Sequence, residues 1–358
     1  SKLMKRVFLE SHNIKNLLFG FGQFHYQLIK ALHKAAVTDF KMVLHAKNDT
    51  DLKSEFGTYF EYKRYFGFRR YPLLRIRNKY TLWHSLNQNT KIEPVSNIPY
   101  LLTVHDVNFV DEASEEIAKE TRLRFQEKLD RSDAITYISE FAKQSTHQNF
   151  KIPEVPEYVI YNGNPIRAIE ISETYIPNKT SSRPFLFSIG EFTARKNFHT
   201  LIEMLALLPE FDLILAGKNN TDYTQKVLKP LISKLNLEDR VHITGKIGDM
   251  DKQYYLKNCS AFLFPSLREG FGIPPIEAMR FGKPVFLSNN TSLPEIGGPD
   301  AFYWDHYNPS YMVDVFNKGM QKYTKDKESI SERYIKRSKS FCWDKAASEY
   351  LKVYRSLL

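Results

Sequence analysis

The sequence predicts an α/β protein built from two Rossmann-like domains in tandem. Three observations predict it. Short apolar runs alternate with longer stretches of helical periodicity along the whole chain, as in a parallel sheet with crossover helices. The alternation stops in a polar, turn-rich stretch near the middle and then restarts. The length of 358 residues suits two domains of about 150–200 residues each.

In the first half, strands are expected at Arg6–Glu10, Lys41–His45, Tyr100–Val104, Ala134–Ile138 and Tyr158–Ile160. Pro165–Pro184, containing AIEISETYIPNKTSSRP, lacks periodicity and reads as the linker. The second half expects strands at Phe185–Ile189, Asp212–Ala216, Val241–Thr244, Ala261–Phe264, Pro284–Leu287 and Ala301–Tyr303. Between them, Asn197–Leu208 reads as a helix opened by an Asn cap, with apolar residues at helical spacing. Trp343–Leu358 reads as a closing amphipathic helix. The domains are therefore expected at 1–165 and 166–340, followed by 341–358.

Composition excludes several classes. A hydrophobic content of 42% with 14% aromatic residues excludes a disordered chain. Cys259 and Cys342 are too few for a disulfide framework and suit a reducing cytoplasm. No apolar run is long enough to cross a bilayer, and SKLMKRVFLE lacks the apolar core of a secretion signal.

The net charge of +10 implies an anionic partner without naming it. Residues up to Pro165 hold 24 basic and 19 acidic groups and the rest 27 and 22, so each half carries +5. Residues 61–80, EYKRYFGFRRYPLLRIRNKY, alone carry seven basic groups and one acid. Arg69, Arg70, Arg75 and Arg77 are interleaved there with aromatic and aliphatic residues. That mixture suits an anionic acceptor or membrane surface; it also suits a plain surface loop whose aromatics pack inward.

Two stretches offer chemistry. In PSLREGFGIPPIEAMRFGKP, an apolar strand precedes the loop Gly270-Phe271-Gly272-Ile273 and a helix beginning near Pro274. Helix-start amides favour anionic or hydroxyl oxygens. Glu269 at the loop entrance and Glu277, expected in the first helical turn, accept hydrogen bonds from vicinal hydroxyls. In Ser188-Ile-Gly190-Glu-Phe-Thr-Ala-Arg195-Lys196-Asn197, a strand ends at Gly190 and two cations precede a helix start. Cations there oppose the helix dipole but serve a phosphate well.

These motifs, with His105-Asp106, Ser139-Glu140-Phe141, Tyr161-Asn162-Gly163-Asn164 and Leu293-Pro294-Glu295-Ile296 in the same order, resemble the GT-B glycosyltransferases of family four. The resemblance covers nearly the whole chain. It implies two Rossmann-like domains facing across a cleft, with the last helix crossing back to the first. It implies retaining, metal-independent transfer of a hexose from a nucleotide sugar, with no cofactor, to a saccharide or lipid-linked acceptor in bacterial polysaccharide or lipopolysaccharide synthesis. Such an enzyme works in the cytoplasm or on the inner membrane face.

Carried over by position, Glu277 would hold the ribose. Glu269 and the amides of Phe271, Gly272 and Ile273 would hold the donor sugar, and Arg195 and Lys196 would neutralise the leaving diphosphate. His105 would lie near the anomeric carbon and acceptor. Gly20-Phe-Gly22 resembles the family's first glycine-rich loop near the donor phosphates, and Gly190 its strand-end glycine. Many relatives place an arginine directly after that glycine, where this chain has Glu191.

Other readings fit less well. A nicotinamide dehydrogenase needs the third glycine that His25 replaces in GFGQFH. A metal-dependent GT-A transferase would use Asp49-x-Asp51 or Asp249-x-Asp251 but has a single-domain fold. A nucleotide-sugar epimerase shares the architecture and needs no acceptor surface. A basic nucleic-acid-binding protein would bind with steep salt dependence, and nucleic acid is not the expected partner.

Overall fold

A computed structural model describes residues 3–15, 20–47, 49–106 and 115–358, with residues 14, 15 and 20–22 described by backbone alone. The chain divides into two compact units, Ser1–Pro165 with Cys342–Leu358, and Ile166–Phe341. Each is a parallel sheet with interleaved helices.

The first unit holds β1 (Arg6–Glu10), β2 (Lys41–Ala46), β3 (Glu61–Arg64), β4 (Leu82–Ser85), β5 (Tyr100–Val104), β6 (Ala134–Tyr137) and β7 (Glu157–Val159). They lie in the order β3-β2-β1-β4-β5-β6-β7, with every neighbouring pair parallel. Val7, Phe8 and Leu9 are all fully buried. An unbroken apolar run, rather than an alternation, is what a sheet covered on both faces requires.

Two of these strands were not expected. β3 lies inside the basic segment, where Tyr62, Lys63 and Arg64 mask the signal of an edge strand. β4 reads LWHS, and its polar half is buried: His84 bonds the Thr103 Oγ1 of β5 at 2.7 Å.

Helices α1 (Gly20–Ala35), α2 (Asp49–Phe56), α3 (Glu115–Arg131) and α4 (Glu140–Asn149) belong to this unit. Gly20 and Gly22 sit in the first turn of α1, not in a loop as expected. Glycine disfavours a helix by about 1 kcal/mol per residue. The rest of α1 overrides that local preference by burying Leu28, Ile29 and Leu32 completely.

The second unit contains β8 (Phe185–Ile189), β9 (Asp212–Ala216), β10 (Val241–Gly245), β11 (Ala261–Phe264), β12 (Val285–Ser288) and β13 (Phe302–Trp304), in the order β10-β9-β8-β11-β12-β13. Its helices are α5 (Phe198–Leu205), α6 (Lys229–Lys234), α7 (Asp249–Asn258), α8 (Ile273–Arg280), α9 (Leu293–Gly297), α10 (Pro309–Lys325) and α11 (Lys327–Ser340). The core runs through Leu186, Leu201, Leu215, Leu263, Phe286 and Trp304, all fully buried.

The stretch expected as a linker is a hydrogen-bonded strap on α7. Gln253 Oε1 accepts from the Ile169 amide at 2.9 Å, and Gln253 Nε2 donates to the Arg167 carbonyl at 2.9 Å. Tyr255 Oη donates to the Lys179 carbonyl at 2.5 Å. Its partners are distant in sequence, so no local periodicity announces it.

The last helix, α12 (Trp343–Leu357), crosses back to the first unit and packs on α1. Tyr354 Oη meets His84 Nδ1 at 2.6 Å, Lys34 pairs with Asp344 at 2.6 Å, and Arg355 pairs with Asp39 at 2.9 Å. A side chain on Gly163 would overlap the Trp343 backbone nitrogen, so glycine permits this close approach. No helix among the described residues is long and apolar enough to cross a membrane.

Candidate functional site

In an open parallel sheet, ligands bind beyond the strand C-termini where the strand order reverses direction. In the second unit that point lies between β8 and β11. The loops leaving these two strands carry the predicted residues and meet. Lys196 Nζ, after β8, pairs with Glu269 Oε1, after β11, at 2.5 Å. Ser266 Oγ donates to the same oxygen at 2.8 Å. Arg195 Nη1 lies 3.9 Å from it and donates to the Arg268 carbonyl at 2.8 Å.

Local geometry explains how Lys196 reaches across. Ala194–Lys196 forms one 3-10 turn, and Asn197 is left-handed at φ 63°. Asn197 holds the cap position of α5, but its side chain does not cap the helix as expected. Its Nδ2 donates to the Pro265 carbonyl at 3.1 Å, tying the turn to the end of β11. The Lys196 stem crosses Gly190, where a Cβ would stand 3.0 Å from Lys196 Cδ and Cε. Its ammonium also lies 5.1 Å from the centre of the Phe264 ring.

The Gly270–Ile273 loop is held from behind. Thr291 Oγ1 accepts from the Glu269 amide at 3.1 Å, and Ser292 Oγ donates to the carbonyls of Glu269 at 2.7 Å and Phe271 at 2.5 Å. Gly272 turns the chain at φ 136°, a conformation essentially reserved for glycine. The Phe271 ring is buried against Phe341. The helix start is narrower as an anion site than expected, because Pro274 and Pro275 remove two of its N–H groups.

Glu277 lies in the second turn of α8, not the first, because the helix starts at Ile273. It is 3% exposed. Lys252 of α7 approaches its Oε2 at 3.1 Å and its Oε1 at 3.4 Å. Burial pushes its pKa upward, while the nearby Lys252 and Arg280 charges oppose the rise.

Sequence reasoning missed Lys252, Ser266, Thr291 and Ser292. Ser292 directly precedes the Leu293-Pro294-Glu295-Ile296 motif, which is a usable signal. Lys252 has none, standing 25 residues before its partner.

The remaining predicted residues lie in the first unit. His105 follows β5 and is buried, its Nε2 2.8 Å from the Leu86 carbonyl and its ring edge-on to Phe24 at 4.3 Å. Burial lowers its pKa to about 4. At this unit's own order reversal, between β1 and β4, Glu10 Oε1 meets His12 Nδ1 at 2.6 Å and His45 Nδ1 at 2.9 Å, and Thr90 Oγ1 donates to Oε2 at 2.5 Å. Among the described residues these three form the one group with metal-ligand chemistry. Their spacings are those of hydrogen bonds made directly between the side chains.

The basic segment lies largely on the surface of the first unit. After β3 it forms turns at Gly67–Arg70 and Pro72–Leu74. Its apolar residues do not all pack inward: Phe66, Phe68, Tyr71, Leu73 and Leu74 are exposed, while Ile76 and Tyr80 are buried. Arg69 and Arg70 lie 5.0 Å from the Phe68 and Tyr71 ring centres.

Comparison with known proteins bears on the fold and the class of enzyme. Residues 173–341 match the family model described as "Glycosyl transferases group 1". The chain is 25% identical to O-antigen chain mannosyltransferase B of Escherichia coli over 402 residues, covering 98% of this chain and 100% of that one. It is 29% identical to the serotype-specific mannosyltransferase WbdA of Escherichia coli over 250 residues, covering 64% of this chain and 29% of that longer protein. Among solved structures, Anabaena HepE in complex with UDP and glucose superposes with a TM-score of 0.69 at 18% identity, covering 99% of this chain and 100% of that one. The fold is GT-B, and the matches support a glycosyltransferase.

Proposed function

We propose that this chain is a retaining, metal-independent glycosyltransferase of the family-four type. It moves a hexose from a nucleotide sugar to a saccharide or lipid-linked saccharide in bacterial lipopolysaccharide synthesis. The observation that carries the reading is the Lys196–Glu269 pair across the strand-order reversal, at 2.5 Å. The names of the relatives favour mannose as the hexose.

In this reading the bond from the anomeric carbon to the diphosphate oxygen breaks, and the oxygen keeps the electron pair. A bond forms from the same carbon to the acceptor hydroxyl oxygen, whose proton is released. Arg195 and Lys196 with Glu269 sum to one positive charge, placed for the growing charge on the diphosphate. Glu269 and the loop from Gly270 to Ile273 hold the sugar hydroxyls. Glu277, kept in place by Lys252, accepts from the ribose hydroxyls. His105, neutral near pH 7, orients a hydroxyl rather than delivering a proton. The chain around Gly20 and Gly22 approaches the donor phosphates and the acceptor, and Arg69, Arg70, Arg75 and Arg77 face an anionic acceptor or the inner membrane surface.

The test begins with thermal shifts against nucleoside diphosphates, followed by product analysis with the stabilising nucleotide's sugars. The expected result is nucleotide release coupled to a product with the donor's anomeric configuration, unchanged by EDTA. Inverted product, or activity lost to EDTA and restored by Mn²⁺, overturns the mechanism. Sugar isomerisation without acceptor replaces it with the epimerase.

A further inference from the structure

The first unit contains an open cavity of about 890 Å³ to which none of the proposed donor-site residues contributes. Three stretches wall it: residues 70–75, residues 90–97 and one side of α3. Six basic and three acidic side chains line it. Lys128 and Arg131 are engaged by Glu93, Arg131 at 3.3 Å. That leaves Arg70, Arg75, Lys91 and Arg124 against Glu120 and Glu127, a surplus of two positive charges.

Two lining groups have unmet hydrogen-bonding capacity. Arg75 Nε and Ser96 Oγ are buried without a partner, and a guanidinium nitrogen can only donate. The surplus charge calls for an anionic occupant. The rim has the opposite character. Tyr71, Val95 and Leu123 line the cavity at 51%, 48% and 57% exposed, and Leu73, two residues after Tyr71 in the same turn-forming segment, is 85% exposed. A basic hollow with an apolar rim matches a phosphate that arrives attached to hydrocarbon. A free phosphate would leave the rim in water.

We propose that this cavity holds the phosphate of an anionic phospholipid headgroup, with Tyr71, Leu73, Val95 and Leu123 at the acyl boundary. The inference rests on the anionic-surface reading of Arg69, Arg70, Arg75 and Arg77. It adds a defined pocket and the residues Lys91, Ser96, Leu123 and Arg124, none of them in the basic segment. It is independent of the donor chemistry.

The test is sedimentation of the full chain with phosphatidylcholine vesicles, with and without phosphatidylglycerol. Each basic residue near an anionic surface contributes about five-fold in partitioning. The double variant Lys91→Ala/Arg124→Ala should therefore bind the anionic vesicles roughly 25-fold more weakly, with its melting temperature and nucleotide-induced shift unchanged. Leu123→Asn should weaken vesicle binding but not the binding of glycerol phosphate. Unchanged partitioning of the double variant overturns the proposal. If the Arg69/Arg70/Arg75/Arg77→Ala variant still loses binding, the surface reading survives alone; if it does not, both fail. Tighter binding to a single-stranded oligonucleotide than to anionic vesicles, lost in the same double variant, overturns it in favour of nucleic acid.

Discussion

Lys196→Met separates the structural from the chemical role of the pair at the strand-order reversal. Lys196 and Glu269 side chains are 11% and 13% exposed and 2.5 Å apart. Removing one partner of a buried pair costs about 3–5 kcal/mol because the other charge is left desolvated. Here the cost is smaller. Ser266 still donates to Glu269 at 2.8 Å, and half-exposed Arg195 starts 3.9 Å from the same oxygen. About 2–3 kcal/mol is the expected loss, read from urea unfolding. Lys196→Met/Glu269→Gln removes both charges, and a coupling of about 1–3 kcal/mol should return most of it. Turnover should behave differently. If Lys196 serves the leaving diphosphate as proposed, losing it should lower kcat by about 10²–10³-fold, and the double variant should not recover it. Stability and kcat both returning in the double variant would refute the chemical role.

Three further outcomes follow from the packing. Lys252→Met removes the main charge opposing the upward push of burial on Glu277. The variant's carboxylate should protonate more readily, so donor affinity, measured by calorimetry, should weaken at a higher pH than in the wild type as the solution is acidified; a pH-independent variant Kd would contradict this. Burial lowers His25 and His84 to about 3 and His105 to about 4. The unfolded chain, with histidines near about 6.5, then binds more protons below that pH, so stability must fall as pH drops from about 6.5 towards 4. The melting temperature should drop over that window, less so in His84→Gln, and a flat profile in the wild type would refute it. Gly163→Ala places a methyl group against the Trp343 backbone. An overpacking loss of about 1–3 kcal/mol, with faster proteolysis near 340, is expected; wild-type melting and cleavage would show that α12 tolerates displacement.

What was legible in the sequence follows from where the governing contacts lie. Fully buried strands announce themselves locally, and the expected bounds of β1, β5, β8, β9 and β11 match those of the structure. β4 was not legible because its buried polar residues are satisfied at long range, His84 by Tyr354 270 positions away. The helical start of α1 was not legible because glycine preference is local and the packing that overrides it is tertiary. At the site, Arg195, Lys196, Glu269 and Glu277 could be named from their loops. That Lys196 reaches Glu269, 73 positions on, follows only from the strand order placing β8 beside β11. The same holds for Lys252 beside Glu277.

Those two pairs carry a consequence for how a donor would bind. Each carboxylate assigned to a sugar or ribose is already held by a lysine from another segment, Glu269 by Lys196 and Glu277 by Lys252. Both carboxylates are thus charge-paired before a donor arrives, and Glu277 Oε2 still lacks a hydrogen-bond partner among the described residues. A nucleotide sugar would exchange contacts: the diphosphate draws on Lys196 while hydroxyls take over part of its hold on Glu269. Binding of the anionic and hydroxyl parts is then coupled, because each offsets the desolvation left by the other's engagement. A nucleoside diphosphate without its sugar would pull Lys196 away and leave Glu269 with Ser266 and Arg195. The intact donor should therefore bind more tightly than the sum of its nucleotide and sugar parts predicts. In Glu269→Gln, where no carboxylate is left uncompensated, that excess should disappear.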